Sequence, residues 1–310
     1  MTSRCRMEPF RVHILGCGSA LPTLRHNASS QLVEIRGKLM MIDCGEGTQM
    51  QLRRCHARFT KLSHVFISHL HGDHCFGLIG MISTFGLLGR TATLHVHGPA
   101  ALGDMLTQQI QFFCRDLGYD VAFHEVDTTK HQVVYEDRSL TVESIPLCHR
   151  LPTCGFLFRE KPSLPHIRRE MIDFYNVPQS QIQNIKNGAD WTTADGEHVP
   201  NERLVTPADK PRSYAYCSDT RYLPELHQLL EGVSTLYHES TYGDDNRALA
   251  EKYNHSTASE AACVARDAHV GQLLLGHYSS RYEDENVLLR EAQNIFPNTI
   301  LTQEMMVIDV

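Results

Sequence analysis

The sequence has no run of roughly 18 apolar residues, the length a membrane-spanning helix needs, so it is not read as a helical membrane protein. It has no CxxC pair and no regular cysteine spacing. Ten cysteines scattered over 310 residues do not make a small disulfide scaffold, and they predict reduced, buried thiols in a cytoplasmic protein. Met1–Phe10 is charged and lacks an apolar run, so no signal peptide is expected. Positive charge is also in short supply. The 29 Lys plus Arg stand against 36 Asp plus Glu, a formal charge of −7, so no global basic field announces nucleic acid. At 42% hydrophobic and 21% charged, the composition is that of an ordinary soluble chain, long enough for one large or two modest domains. Histidine is plentiful, with 19 copies. It is the commonest metal ligand and the usual acid–base side chain, so the positions of these residues matter.

Short apolar runs punctuated by glycine predict strands over Arg11–Gly16, Gln31–Arg36, Lys38–Ile42, Val65–Ser68, Thr93–His97 and three between Asp120 and Leu147. Further strands are expected at Gly155–Arg159, Tyr214–Ser218, Thr235–His238 and Gln272–Leu275, with one or two more within Ile300–Val310. Helical spacing marks Gly45–Arg58, Gly77–Leu88, a helix opening at Pro99, Ser256–Ala268 with Ser256 or Thr257 as its N-cap, and Glu283–Ile295. Strand and helix signals recur in both halves, an α/β (α+β) pattern that two sheets covered by helices would bury. Residues 160–211 differ. They are rich in Pro, Asn and Gln, hold two short helical patterns (Ile167–Tyr175 and Gln179–Asn187) and an Asp195-Gly196 hairpin turn, and read as an insertion in a single domain spanning 1–310.

The strongest chemical signal is Ser68-His69-Leu70-His71-Gly72-Asp73-His74. Four potential ligands follow directly on a buried strand, and imidazole with carboxylate suits zinc and similar divalent metals. No packing argument clusters such residues there, so a polar surface loop is the weaker reading. Asp43, His149, Asp219 and His277 also follow predicted strands, as does the end-of-strand His238. Singly, each is an ordinary polar strand terminus. Together they point to one edge, where open sheets place ligands.

The HxHxDH motif with a later His, Asp and His resembles the metallo-β-lactamase superfamily. Within it, Asp43-Cys44-Gly45-Glu46-Gly47-Thr48-Gln49, His238-Glu239-Ser240-Thr241, Ser218-Asp219-Thr220-Arg221 and Gly276-His277-Tyr278-Ser279-Ser280-Arg281-Tyr282 resemble the motifs of the ribonuclease Z family of tRNA 3′-processing endoribonucleases, short form, in the family's order. The resemblance runs from about Val12 to Val310. It implies an αβ/βα sandwich of two mixed sheets flanked by helices, with a protruding flexible arm at 160–211. It also implies two zinc ions per subunit. His69, His71 and His149 would hold the first, Asp73, His74 and His277 the second, and Asp219 would bridge them. Asp43 would orient ligands from behind. Two ions about 3.5–4 Å apart activate water and neutralise phosphodiester oxygens. Asp73 would also accept the water's proton, while His238, oriented by Glu239, would protonate the leaving 3′-oxygen. His255, Ser279, Arg281 and the loop residues Arg25, His26 and Asn27 complete the expected site. The implied reaction removes the 3′ trailer from precursor tRNA, leaving a 3′-hydroxyl on the tRNA and a 5′-phosphate on the trailer, in a cytoplasmic homodimer.

Two departures stand out. The family's PxKxRN loop reads Pro22-Thr23-Leu24-Arg25-His26-Asn27, with Leu24 and His26 where Lys and Arg are usual; these are not interchangeable at a phosphate site. The arm carries six Lys plus Arg against eight Asp plus Glu, so phosphate contacts there would be local. Two other functions compete. One is a small-molecule hydrolase or phosphodiesterase on the same scaffold, for which a fifty-residue arm is superfluous. The other is a non-catalytic RNA-binding protein, against which the complete ligand set argues.

Overall fold

The computed structural model describes residues 8–21 and 23–310; Pro22 of the altered loop lies outside the described residues. Two seven-stranded mixed sheets organise the main body. The first contains β1 (Phe10–Gly16), β2 (Ser30–Ile35), β3 (Lys38–Ile42), β4 (Leu62–Phe66), β5 (Leu94–Gly98) and β6 (Val121–Glu125). The second begins with β7 (Val133–Glu136), β8 (Leu140–Pro146) and β9 (Cys154–Glu160). Residues 160–211 follow, with the two-residue strands β10 (His166–Ile167), β11 (Trp191–Thr192), β12 (His198–Val199) and β13 (Val205–Thr206). The second sheet then takes β14 (Ser213–Cys217), β15 (Thr235–Glu239), β16 (Gln272–Gly276) and β17 (Thr299–Leu301), and β18 (Val307–Asp309) returns beside β1.

In the first sheet β3, β4, β5 and β6 run parallel; in the second, β14 to β17 do. Helices cross over between parallel strands. Leu78–Leu87 buries Met81, Ile82 and Phe85, and Ala100–Phe113 buries Leu102 and Leu106, in one cluster with Met41, Val65 and Val96. The sheets meet through aromatic rings: Phe66 of β4 lies 5.3 Å from Phe156 and 5.6 Å from Phe158 of β9. Parallel strands aligned this way deliver their C-terminal ends, and the loops after them, to one edge.

Local chemistry trims the expected helices. The helix expected over Gly45–Arg58 spans only Thr48–Arg54, because Gly45 is committed elsewhere. A Cβ there would stand 2.4 Å from the Asp73 carbonyl oxygen and 2.5 Å from Ala28 Cβ. Thr257, not Ser256, caps Ala258–Asp267. Its hydroxyl accepts from the Glu260 amide, and the Glu260 carboxylate accepts the Thr257 amide, a complete capping box. Ser256 instead donates its hydroxyl to the Thr220 carbonyl. The helix expected over Glu283–Ile295 is Asn286–Gln293.

Residues 137–140 and 160–211 belong to a separate compact unit. In its 160–211 segment, Ile172, Val177, Ile185, Val199 and Leu204 form a small core, and Trp191 packs against it. The expected hairpin is there: β11 pairs with β12 around Gly196 at φ 86°. The first expected helix is preceded by a strand, since His166–Ile167 pairs with β13 and only Arg169–Phe174 is helical.

Candidate metal centre

Two trios of ligand atoms converge where the parallel strands end. In the first, His71 Nδ1 lies 3.0 Å from His69 Nε2 and 3.3 Å from His149 Nε2. In the second, His277 Nε2 lies 3.3 Å from His74 Nε2 and 3.4 Å from Asp73 Oδ2. Asp219 stands between them, with each oxygen serving one trio. Its Oδ2 is 3.6 Å from His69 and 3.7 Å from His149; its Oδ1 is 3.3 Å from His74 and 3.1 Å from His277.

The imidazoles are aimed from behind. His74 Nδ1–H donates to Asp43 at 2.7 Å, His149 Nδ1–H to the Asn254 carbonyl at 2.8 Å, and His277 Nδ1–H to the Thr241 hydroxyl at 2.9 Å. His69 Nδ1 faces the Ser68 hydroxyl at 3.0 Å. All four therefore turn Nε2 inward, and His71 alone turns Nδ1 inward. Outer partners of this kind fix tautomer and ring direction in metal sites. Asp43 also accepts from the Ser68 amide and hydroxyl and from Tyr216. Asp43 and His277 hold left-handed backbones, at φ 55° and 60°, which few non-glycine residues adopt and which cluster at functional sites.

This donor set fits a cation. Asp219 Oδ1 is buried with no hydrogen-bond partner among the described residues, although burying a carboxylate oxygen unpaired is costly. Burial and the adjacent His69 and His149 push His71 down to about 4, and burial with His74 lowers His69, so both are neutral at neutral pH, the form that can coordinate a cation. Burial opposes ionisation of Asp219, but the surrounding imidazoles outweigh it and hold its carboxyl well below the usual range.

A cleft of about 570 Å³ opens over the trios, lined among others by His71, Asp73, His149, Asp219, His255, His277 and Ser279. His255 is held by Glu239: its Nδ1 lies 2.9 Å from Glu239 Oε1. Glu239 is fully buried and accepts from the amides of Thr220, Thr241 and Ser256 and from the Thr241 hydroxyl. Burial lowers the His255 pKa, but Glu239, helped by Asp219 and Asp73, overrides it and raises it to about 9.

His238 is not brought to the cleft. It is fully buried, its Nδ1–H donates to the Glu239 carbonyl at 2.7 Å, and its Nε2 has no partner among the described residues. Strand alternation puts it on the face of β15 opposite Glu239. The expectation of a proton donor there is corrected: Glu239 orients His255, not His238. Arg25, His26 and Asn27 do not line the cleft either. Arg25 is held by Glu285 at 2.9 Å and by the carbonyls of Tyr282 and Glu283. His26 lies between Glu285 and Glu304, and Asn27 gives its amide to Glu304. Arg281 is exposed and outside the lining. Sequence reasoning missed Arg150, the one Lys or Arg in the described lining, stacked 4.6 Å over the Tyr253 ring. Its position next to His149, a candidate ligand, was the available signal.

Residues 10–164 match the family model described as anti-Pycsar protein Apyc1. Proteins named ribonuclease Z from Phocaeicola vulgatus and Bacteroides fragilis are 59% and 58% identical over 98% of this chain, covering 98% and 100% of their own lengths. One from Porphyromonas gingivalis is 52% identical over 98% of this chain and 100% of its own. The fold is shared with the short form of human tRNase Z (TM-score 0.69, 22% identity, 97% of this chain and 99% of that one). It is also shared with the Bacillus subtilis metallo-β-lactamase-fold protein YhfI (TM-score 0.68, 18% identity, 98% of this chain and 100% of that one). With relatives of more than half identity over nearly the whole chain, one assignment follows: the chain belongs to the ribonuclease Z family, with the metallo-β-lactamase fold.

Proposed function

We propose that this protein is a metal-dependent endoribonuclease that removes the 3′ trailer from precursor tRNA, working in the cytoplasm as a homodimer with two zinc ions per subunit. The observation that carries this reading is the pair of ligand trios sharing Asp219, one oxygen to each, in a chain so close to proteins named ribonuclease Z.

His69, His71 and His149 would hold one ion, Asp73, His74 and His277 the other, and Asp219 both. Ions held there would supply an activated water and would neutralise charge on the scissile phosphodiester. Asp73, whose Oδ2 accepts the Ala20 amide at 2.7 Å, takes the proton from the attacking water. His255 carries a proton at neutral pH and gives it to the leaving 3′-oxygen. Glu239 stabilises its cation and fixes its ring. Arg150 meets substrate phosphate at the cleft mouth. Residues 160–211, inserted between β9 and β14, act as an arm that binds the tRNA.

The test is cleavage of a 3′-extended precursor tRNA by metal-replete protein, with and without an encoded CCA. Cleavage to a 3′-hydroxyl tRNA, abolished by chelator, is expected. Intact precursor together with rapid hydrolysis of bis(p-nitrophenyl) phosphate would make the protein a small-diester phosphodiesterase instead.

A further inference from the structure

Beyond the cleft, a third group of ligand atoms gathers under the loop after β1. Cys17 Sγ lies 3.4 Å from His26 Nδ1 and 3.6 Å from Glu304 Oε1, and His26 Nδ1 lies 3.1 Å from Glu304 Oε2. One atom from each residue falls within a common 4.8 Å span. Ligand atoms 2.0–2.3 Å from a tetrahedral zinc are spaced roughly 3.3–3.6 Å apart, and these separations of 3.1–3.6 Å lie within a few tenths of an ångström of that range. We infer that Cys17, His26 and Glu304 form a separate, mononuclear site for a zinc-like divalent cation, distinct from the paired centre under the cleft.

Three further features support it. The far nitrogen of His26, Nε2, lies 3.3 Å from Glu285 Oε1, the carboxylate–histidine arrangement that orients metal-bound imidazoles. Glu304 Oε1 accepts the Asn27 amide at 2.8 Å, which fixes the carboxylate. The Thr302 carbonyl oxygen, 3.5 Å from Cys17 Sγ, adds an oxygen donor beside the set. Cys17 is fully buried, and the His26 and Glu304 side chains are only 13% and 14% exposed. A thiolate, an imidazole and a carboxylate form a donor set typical of zinc.

The placement gives the site work to do. Between Cys17 and His26 the chain forms one wall of the cleft through Ser19, Ala20 and Leu21. There the Ser19 amide donates to the Tyr278 carbonyl and the Ala20 amide to Asp73. An ion joining both ends of this span to Glu304, near the C-terminus, holds the wall against the body.

Sulfur makes the site separable from the paired centre, whose seven ligands are all histidine or aspartate. Full-length protein reconstituted with cobalt(II) should show a thiolate-to-cobalt charge-transfer band in the near ultraviolet. Cys17→Ser should abolish that band, keep the visible bands of the histidine–carboxylate centre, and lower bound zinc by one ion per chain. His26→Ala should also remove the band, a second route if Cys17→Ser folds poorly. Glu285→Gln should keep the band but weaken cobalt binding there about tenfold. A wild-type protein with no such band, a band that survives Cys17→Ser, or unchanged affinity in Glu285→Gln would each overturn the assignment and leave a hydrogen-bonded trio. None of these readouts depends on tRNA cleavage.

Discussion

Two neighbouring residues of β15 have opposite fates, and the difference makes the first prediction. Glu239 receives four donors besides His255 and faces the cleft network, whereas His238 is sealed on the other face. Replacing His255 with Ala should lower precursor cleavage about a hundredfold or more, the usual weight of a general acid, with metal content unchanged by elemental analysis. Replacing His238 with Ala should cost folding stability, seen as a lower melting temperature, and leave per-molecule turnover of the folded protein within a few fold. The pH dependence follows from the same pair. His255 donates a proton only while cationic, so turnover should fall as pH rises through its pKa of about 9. Glu239→Gln removes the charge that raises that pKa, so the alkaline limb should move to lower pH. A limb unmoved by this change would count against His255 as the donor. Arg150 permits a separate test at the same scale. Arg150→Ala should raise KM for precursor tRNA more than it lowers kcat, because a phosphate contact at the cleft mouth contributes binding to ground and transition states alike.

At the scale of elements, positions legible in the sequence are those fixed by what lies beside them. The HxHxDH run follows a buried strand, and each remaining ligand follows a strand end, so convergence could be argued without coordinates. The face of His238 was not legible. All five residues of β15 are buried, so no polar–apolar alternation distinguishes inward from outward. Tautomers were not legible either, since Asn254 and Thr241 meet His149 and His277 only through tertiary contact. Arg25 was expected at the site, and its partners at 282–285 were not legible because they are remote in sequence. Gly45 belongs to the same class: its role is close approach, not flexibility. A methyl group there would meet the Asp73 carbonyl oxygen and Ala28 Cβ, a backbone atom and a methyl group fixed to the backbone, neither able to swing aside. Gly45→Ala should therefore displace the Asp73–His74 turn, and the purified variant should bind about tenfold less tightly at the second ligand trio while keeping its far-ultraviolet circular dichroism. Normal metal affinity would show that the backbone yields without moving the ligands.

For the whole molecule, the question is what residues 160–211 add to a body that already carries both trios of candidate ligands. The strands flanking the insertion are antiparallel neighbours, with Ser213 opposite Arg159. The segment thus leaves and re-enters between adjacent strands, and a short hairpin turn can replace it without breaking the sheet. The segment has a small core of its own, Ile172, Val177, Ile185, Val199 and Leu204. Replacing 162–210 with a short turn should leave metal content and hydrolysis of bis(p-nitrophenyl) phosphate within a few fold of wild type. If the segment binds tRNA as proposed, cleavage of precursor tRNA should fall far more, mainly through KM, because such contacts contribute binding and not chemistry. Six cations offset by eight acids limit how many phosphates the segment meets, so the salt dependence of KM should weaken only modestly when it is removed. Equal losses on tRNA and on the small diester would assign the segment to structure alone. Sedimentation of the two proteins separates a further role: if the segment also links subunits, the shortened chain should sediment as a monomer where the full chain sediments as a dimer.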